Sequence, residues 1–143
     1  MEPCIFCRIV AGTAPSSVVY RDHLCIAFMD IQPITPGHLL VVPLAHAPRL
    51  ASLEPGLGAH LFSVAQRLAA SIRRSGLKAE GVNVLLADGA AAGQEVDHIH
   101  LHVLPRFTGD GFGFRFGPEY GLPVSRERLD SDAASISRST EPA

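Results

Sequence analysis

Apolar positions along the chain follow two different periods, and the changes between them mark out its elements. Residues 18–20 and 25–29 are short apolar runs on either side of Arg21-Asp22-His23, which reads as two strands and their hairpin connection. A loop broken by Pro33, Pro36 and Gly37 leads into residues 38–43, whose nearly unbroken aliphatic character predicts a central strand. Between residues 53 and 75 the spacing changes: Leu57, Leu61, Val64, Leu68 and Ile72 recur every three or four positions, one face of an amphipathic helix with Ser52 as candidate cap and Gly76 as stop. Residues 82–86 return to strand. Last comes His98-Ile99-His100-Leu101-His102-Val103-Leu104-Pro105-Arg106, where alternation predicts a strand with three imidazoles on one face and Ile99, Leu101 and Val103 in the core.

The remaining stretches are less regular. Ile5, Phe6, Ile9 and Val10 form an apolar cluster ahead of the turn-prone residues 11–17. Residues 88–95 are almost free of bulky side chains, so they read as a flexible connection or as a loop whose backbone N–H groups approach an anion; lying directly before the histidines favours the second. Past Arg106, four phenylalanines sit among glycines, and the site mouth, another subunit and the domain's own back are all open to them. Residues 125–136 predict a short terminal helix with Leu129, Ala133 and Ile136 inward, and residues 137–143 a frayed end.

With 143 residues, 47% hydrophobic, the chain is expected to fold as one domain over residues 1–106 with an extension over 107–143 that packs on the domain or on a partner subunit. A formal net charge of −2 offers no basic field for nucleic acid, so a nucleotide ligand would have to be small. The first residues lack a basic segment followed by an apolar run, and no apolar stretch is long enough to span a bilayer, so no membrane role and a cytoplasmic location are expected. Cys4, Cys7 and Cys25 do not make a disulfide framework; Cys4 and Cys7 form a C-x-x-C pair that becomes a zinc site only if two further ligands converge on it. Three histidines at alternate strand positions exceed what a solvated face requires, yet the outer two lie on the order of 13 Å apart, too far to share one ion. A nucleophilic or acid/base histidine at the centre, with a polar neighbour on each side, fits that spacing.

The histidine run resembles the signature of the histidine triad (HIT) superfamily. Residues 5–10 (IFCRIV), 28–31 (FMDI), 36–43 (PGHLLVVP) and 92–96 (AGQEV) are similar to further segments of that family, in the family's order, over residues 4–106. The resemblance, to the bacterial Hint-like branch, implies an α+β fold: a five-stranded antiparallel sheet with one long helix and a short C-terminal helix, usually homodimeric. It implies attack on the α-phosphorus of purine nucleotides, with His100 as nucleophile forming a nucleotidyl-imidazole, His102 bonding phosphate oxygens, and Gln94 and the Gly93 backbone contacting phosphate or leaving group. Asp30 would accept the ribose hydroxyls, and Ile5, Phe6, Ile9, Phe28 and Ile31 would line the base slot, at least one of them as ordinary core.

By the same resemblance His98 either hydrogen-bonds within the site or joins Cys4, Cys7 and His46 around a structural zinc, with no catalytic cofactor. Two departures affect specificity: Ala87 stands where the branch usually has a phosphate-contacting asparagine, and Glu95 where it often has serine or threonine. A carboxylate at Glu95 either serves an amine leaving group or faces solvent. The expected reaction is cleavage of nucleoside phosphoramidates; hydrolysis of dinucleoside polyphosphates and a non-enzymatic nucleotide-binding adaptor are the alternatives.

Overall fold

A computed structural model describes residues 4–142. These divide into two compact units that meet between Phe112 and Gly113.

The first unit is built on an antiparallel sheet of β1 (Val18–Arg21), β2 (Cys25–Met29), β3 (Leu39–Pro43), β4 (Gly81–Leu86) and β5 (Leu101–Arg106), in the order β1-β2-β3-β5-β4. The aliphatic run β3 is central, as its composition predicts, because both faces of the sheet are covered there. On one face α2 (Pro55–Arg74) presses Leu61, Val64, Ala65, Leu68 and Ile72 onto Ala27, Leu39, Val41, Leu101 and Val103. On the other, α1 (Ile5–Val10) sets Phe6 and Ile9 on Ile26, Phe28, Leu40 and Val42. Alternate residues of β2 and β3 thus serve two cores. Cross-strand partners share a face, so the pairing of Leu40 with His102 puts His102 on the α1 side, while Val41 and Leu101 face α2.

Three expectations need correction. The cap of α2 is Glu54 rather than Ser52: its carboxylate accepts the Gly56 and Leu57 N–H groups, and Pro55 occupies the first helical position, where its missing N–H costs nothing. Strand β5 begins at Leu101 rather than His98, because Ile99 donates its N–H to Ala47 of a loop and draws residues 98–100 off the ladder. The first unit also continues past Arg106, whose guanidinium holds both Asp110 carboxylate oxygens, Asn83 and the Phe112 carbonyl.

The second unit contains α3 (Arg126–Ser139), capped by the Ser125 hydroxyl on the Arg128 N–H. The helix runs on to Ser139 where fraying was expected from Ser137, and the Thr140 hydroxyl closes its end on Ile136. Leu129 and Ile136 are exposed rather than inward, since none of the described residues of this unit is buried. No helix among the described residues is long and apolar enough to cross a membrane.

Candidate active site

Strand β5 and the extended residues before it carry the histidines across the α1 face, where Phe6 stands edge-on to His98 and His100 at centroid distances of 5.9 and 5.1 Å. His100 and His102 are 4.8 Å apart by the same measure, so the three imidazoles do share a face. It is not an open surface, however: His98 and His100 are buried and His102 is half-buried.

Each ring has its tautomer fixed by a different partner. His100 donates Nδ1–H to the His98 carbonyl at 2.8 Å, because a carbonyl only accepts, and its Nε2 therefore carries a free lone pair. His98 likewise donates Nε2–H to the Pro43 carbonyl at 2.9 Å, which turns its Nδ1 lone pair the other way.

That nitrogen meets the Cys4 and Cys7 thiols at 3.4 and 3.6 Å and His46 Nδ1 at 3.4 Å; Cys7 Sγ is 3.4 Å from His46 Nδ1. All four donors lie within 4.8 Å of one another. A tetrahedral zinc with ordinary Zn–S and Zn–N bonds needs ligand-to-ligand edges of about 3.3–3.8 Å, and these four distances fall in that range. The Pro43 carbonyl is the outer partner that a metal-binding imidazole requires. Cys4 also accepts the Cys7 N–H, which ties the pair to the start of α1.

The third histidine belongs to a relay that sequence reading missed. Ile34 donates its N–H to His38 Nδ1 at 3.1 Å, so His38 must carry its proton on Nε2 and donates it to His102 Nδ1 at 2.9 Å. His102 in turn keeps its proton on Nε2, pointed away from the relay. Burial, then the neighbouring His100 and His38, push the His102 pKa down to about 4, so it acts as a neutral donor. Burial lowers the His38 and His98 values too. Asp30 Oδ2 stands 3.6 Å from His38 Nε2, while its other oxygen takes the Gln32 N–H. Asp30, His38 and His102 also lie close enough to hold an ion, but the proton on His38 Nε2 makes that atom a donor and not a ligand. The only sequence signal for the relay was His38 at the edge of an aliphatic strand.

The other candidate positions separate clearly. Phe6, Ile9 and Phe28 belong to the α1-side core, whereas Ile5 is 43% and Ile31 92% exposed. Gln94 is buried with its amide fully committed: Nε2 donates to the Pro48 and Val96 carbonyls, and Oε1 accepts the Gly89 N–H. It braces the loop and has no free donor for a phosphate. The small-residue loop includes a 3-10 turn at Ala90–Ala92 between Gly89 and Gly93, both at φ +90°. Asp88 accepts the Leu50 N–H, and Arg49 bonds Asp97, which fastens the loop at both ends. Gly93 and Glu95 are exposed on it.

Residues 11–109 match the family model described as HIT domain. The chain is 41% identical over 127 residues to an uncharacterized HIT-like protein of Borreliella burgdorferi, covering 88% of this chain and 91% of that protein. It is 35% identical over 103 residues to the adenylylsulfatase HINT3 of Arabidopsis thaliana, covering 72% of this chain and 52% of the relative. Among solved structures, a HIT family member from Bacillus subtilis superposes with a TM-score of 0.89 at 36% identity, over 99% of this chain and all of the other (100%). A zinc-bound histidine triad protein from Mycobacterium smegmatis gives a TM-score of 0.75 at 40% identity, over 96% and 97% of the two chains.

Proposed function

Since the chain belongs to the HIT domain family, we propose that it is a nucleotide hydrolase or transferase that cleaves purine nucleoside phosphoramidates or related nucleotides at the α-phosphorus. The observation that carries the reading is the pair of fixed tautomers: a lone pair on His100 Nε2 beside an N–H donor on His102 Nε2. His100 Nε2 forms a bond to phosphorus as the bond to the leaving group breaks. Positive charge that develops on the ring is met by the His98 carbonyl at Nδ1. The His102 N–H stabilises the phosphate oxygens in flight, and the leaving group departs with a proton taken from solvent. Water then attacks phosphorus and returns a proton to solvent, the Nε2–P bond breaks and the imidazole is restored, so one hard substitution becomes two easier ones.

In this reading Asp30 holds the ribose, Ile5 and Ile31 touch the base, and Phe6, Ile9 and Phe28 form the wall behind it. The same reading assigns the Gly93 backbone and Glu95, both exposed, to the leaving group, with Gln94 as support of that loop. Zinc held by Cys4, Cys7, His46 and His98 would supply a structural cross-link between α1 and the residues before β5. The working form is proposed to be a cytoplasmic homodimer. Because one relative is an adenylylsulfatase, an adenylyl sulfate belongs among the substrates to be tried, beside an adenosine phosphoramidate and a dinucleoside polyphosphate.

The test is single-turnover reaction with each α-labelled nucleotide, quenched in denaturant at alkaline pH, where nucleotidyl-histidine survives. Wild-type protein should carry label on the peptide containing His100, and His100→Asn should carry none while still binding AMP. Turnover retained by His100→Asn would overturn the mechanism. Absence of turnover on every substrate, with tight AMP binding, would favour the adaptor reading.

A further inference from the structure

We propose that Cys4 and Cys7 form a peroxide-sensitive switch that controls the placement of the nucleophile, an inference that rests on the reading of His100 as that nucleophile. Three features of the first unit lead to it.

The first is access. In the four-donor cluster only His98 is buried; Cys4 and Cys7 are both half-buried, and Cys7 lies beside the exposed His46. A small oxidant can therefore reach a sulfur of the pair, and the other, within 4.8 Å, is the resolving thiol. The third cysteine does not compete, since Cys25 is fully buried and out of reach of a solvent-borne oxidant.

The second is the chemistry. Hydrogen peroxide oxidises one of the two sulfurs to a sulfenic acid, with water leaving; the other sulfur attacks it, the S–O bond breaks and a second water departs. Overall, two thiols and one peroxide give one disulfide and two waters. A disulfide needs the sulfurs at about 2.05 Å, too close to remain separate corners of a tetrahedral site, so the metal is released.

The third is the connection to the site. His98 ties its imidazole to the cluster and its carbonyl to His100 Nδ1. Ile99 bonds Ala47, the neighbour of His46, so residues 46–47 and 98–100 are joined at the same place. Helix α1, which begins at the two cysteines, carries the Phe6 ring that touches both His98 and His100. Closing the disulfide thus frees His98 Nδ1 and pulls on the helix that packs on the nucleophile.

The experiment treats zinc-loaded full-length protein with hydrogen peroxide and follows four signals: zinc captured by a chromogenic chelator, peptide mass, amide hydrogen exchange over residues 96–101, and single-turnover labelling of His100. The expected result is one zinc released per Cys4–Cys7 disulfide, faster exchange at Ile99, and labelling slowed about 10–100-fold, the range for loss of a metal site's outer support. A dithiol reductant with added zinc should restore all four. Oxidation that bypasses the disulfide, or a disulfide that forms while Ile99 exchange and labelling stay unchanged, would overturn the proposal. So would undiminished peroxide sensitivity of labelling in Cys7→Ser. If the reduced protein never labels His100, the proposed function fails instead, and Ile99 exchange alone then decides whether the switch exists.

Discussion

Replacing His38 by phenylalanine tests the relay in the site directly. His38 is 2% exposed and links its own loop to a strand 64 residues further along the chain, accepting the Ile34 N–H and donating to His102 Nδ1. Phenylalanine fills nearly the same volume and does neither, so the Ile34 N–H and one His102 ring nitrogen lose their partners. At about 1–3 kcal/mol for each group left unsatisfied, and the low end for Ile34, which is 44% exposed, the loss of stability should be about 2–4 kcal/mol, within what a domain of this size tolerates. The effect on chemistry should be larger in kind. Once His102 Nδ1 has no donor, its proton is no longer held on Nε2, and removal of one positioned donor slows such reactions about 100- to 1000-fold. Urea denaturation reads the first number and single-turnover labelling the second. Ring nitrogen NMR should show the His102 proton moving from Nε2 to Nδ1, and His38→Gln, which can both accept and donate, should recover much of the loss. Labelling in His38→Phe within about threefold of wild type, with His102 still protonated on Nε2, would refute the reasoning.

Stability should also fall in mild acid. The His102 value of about 4 lies below its unfolded value of about 6.5, so the unfolded chain binds more protons between them; stability is complete above pH 6.5 and declines by about 3 kcal/mol on the way to pH 4. His38 and His98 act in the same direction, and a flat denaturation midpoint across that window would count against all three. Gly37→Ala should cost about 1–3 kcal/mol, because φ is +92° and the new Cβ would stand 2.8 Å from Leu77 Cδ1 and 3.1 Å from Pro105 Cγ. Asp22→Ala should cost about 2–4 kcal/mol in thermal or urea melts, since one carboxylate accepts the Leu24 and Cys25 N–H groups, the Tyr20 hydroxyl and His60. Stripping metal with a strong chelator should lower the melting temperature of the wild type and leave that of Cys4→Ala unmoved.

Periodic features were legible in the chain because they are local. The unbroken apolar runs of β2 and β3, the three-to-four spacing of α2 and the central place of β3 can all be read within one element. The apolar stripe of α3 was equally periodic and misled, since Leu129 and Ile136 have no core within their own unit to enter. Periodicity states which face would be buried, and burial itself needs a partner. The cap of α2 went to Ser52 by residue type, although Pro55 at the first helical position pointed to Glu54.

What the sequence could not express is the division of labour among the three histidines. In the sequence they are one repeated letter at one spacing, and their common face follows from that alone. Their difference comes from acceptors and donors brought from elsewhere: the Pro43 carbonyl turns His98 toward the cysteines, the His98 carbonyl frees Nε2 of His100, and His38 sets the proton on the far side of His102. Two of these partners come from β3 and its flank, more than 50 residues earlier, and reach the histidines only because β3 pairs with β5. The pairing register is therefore itself a determinant of the chemistry. A slip of one residue between β3 and β5 would turn His102 toward α2 and away from His38, and would remove the donor without changing a single side chain.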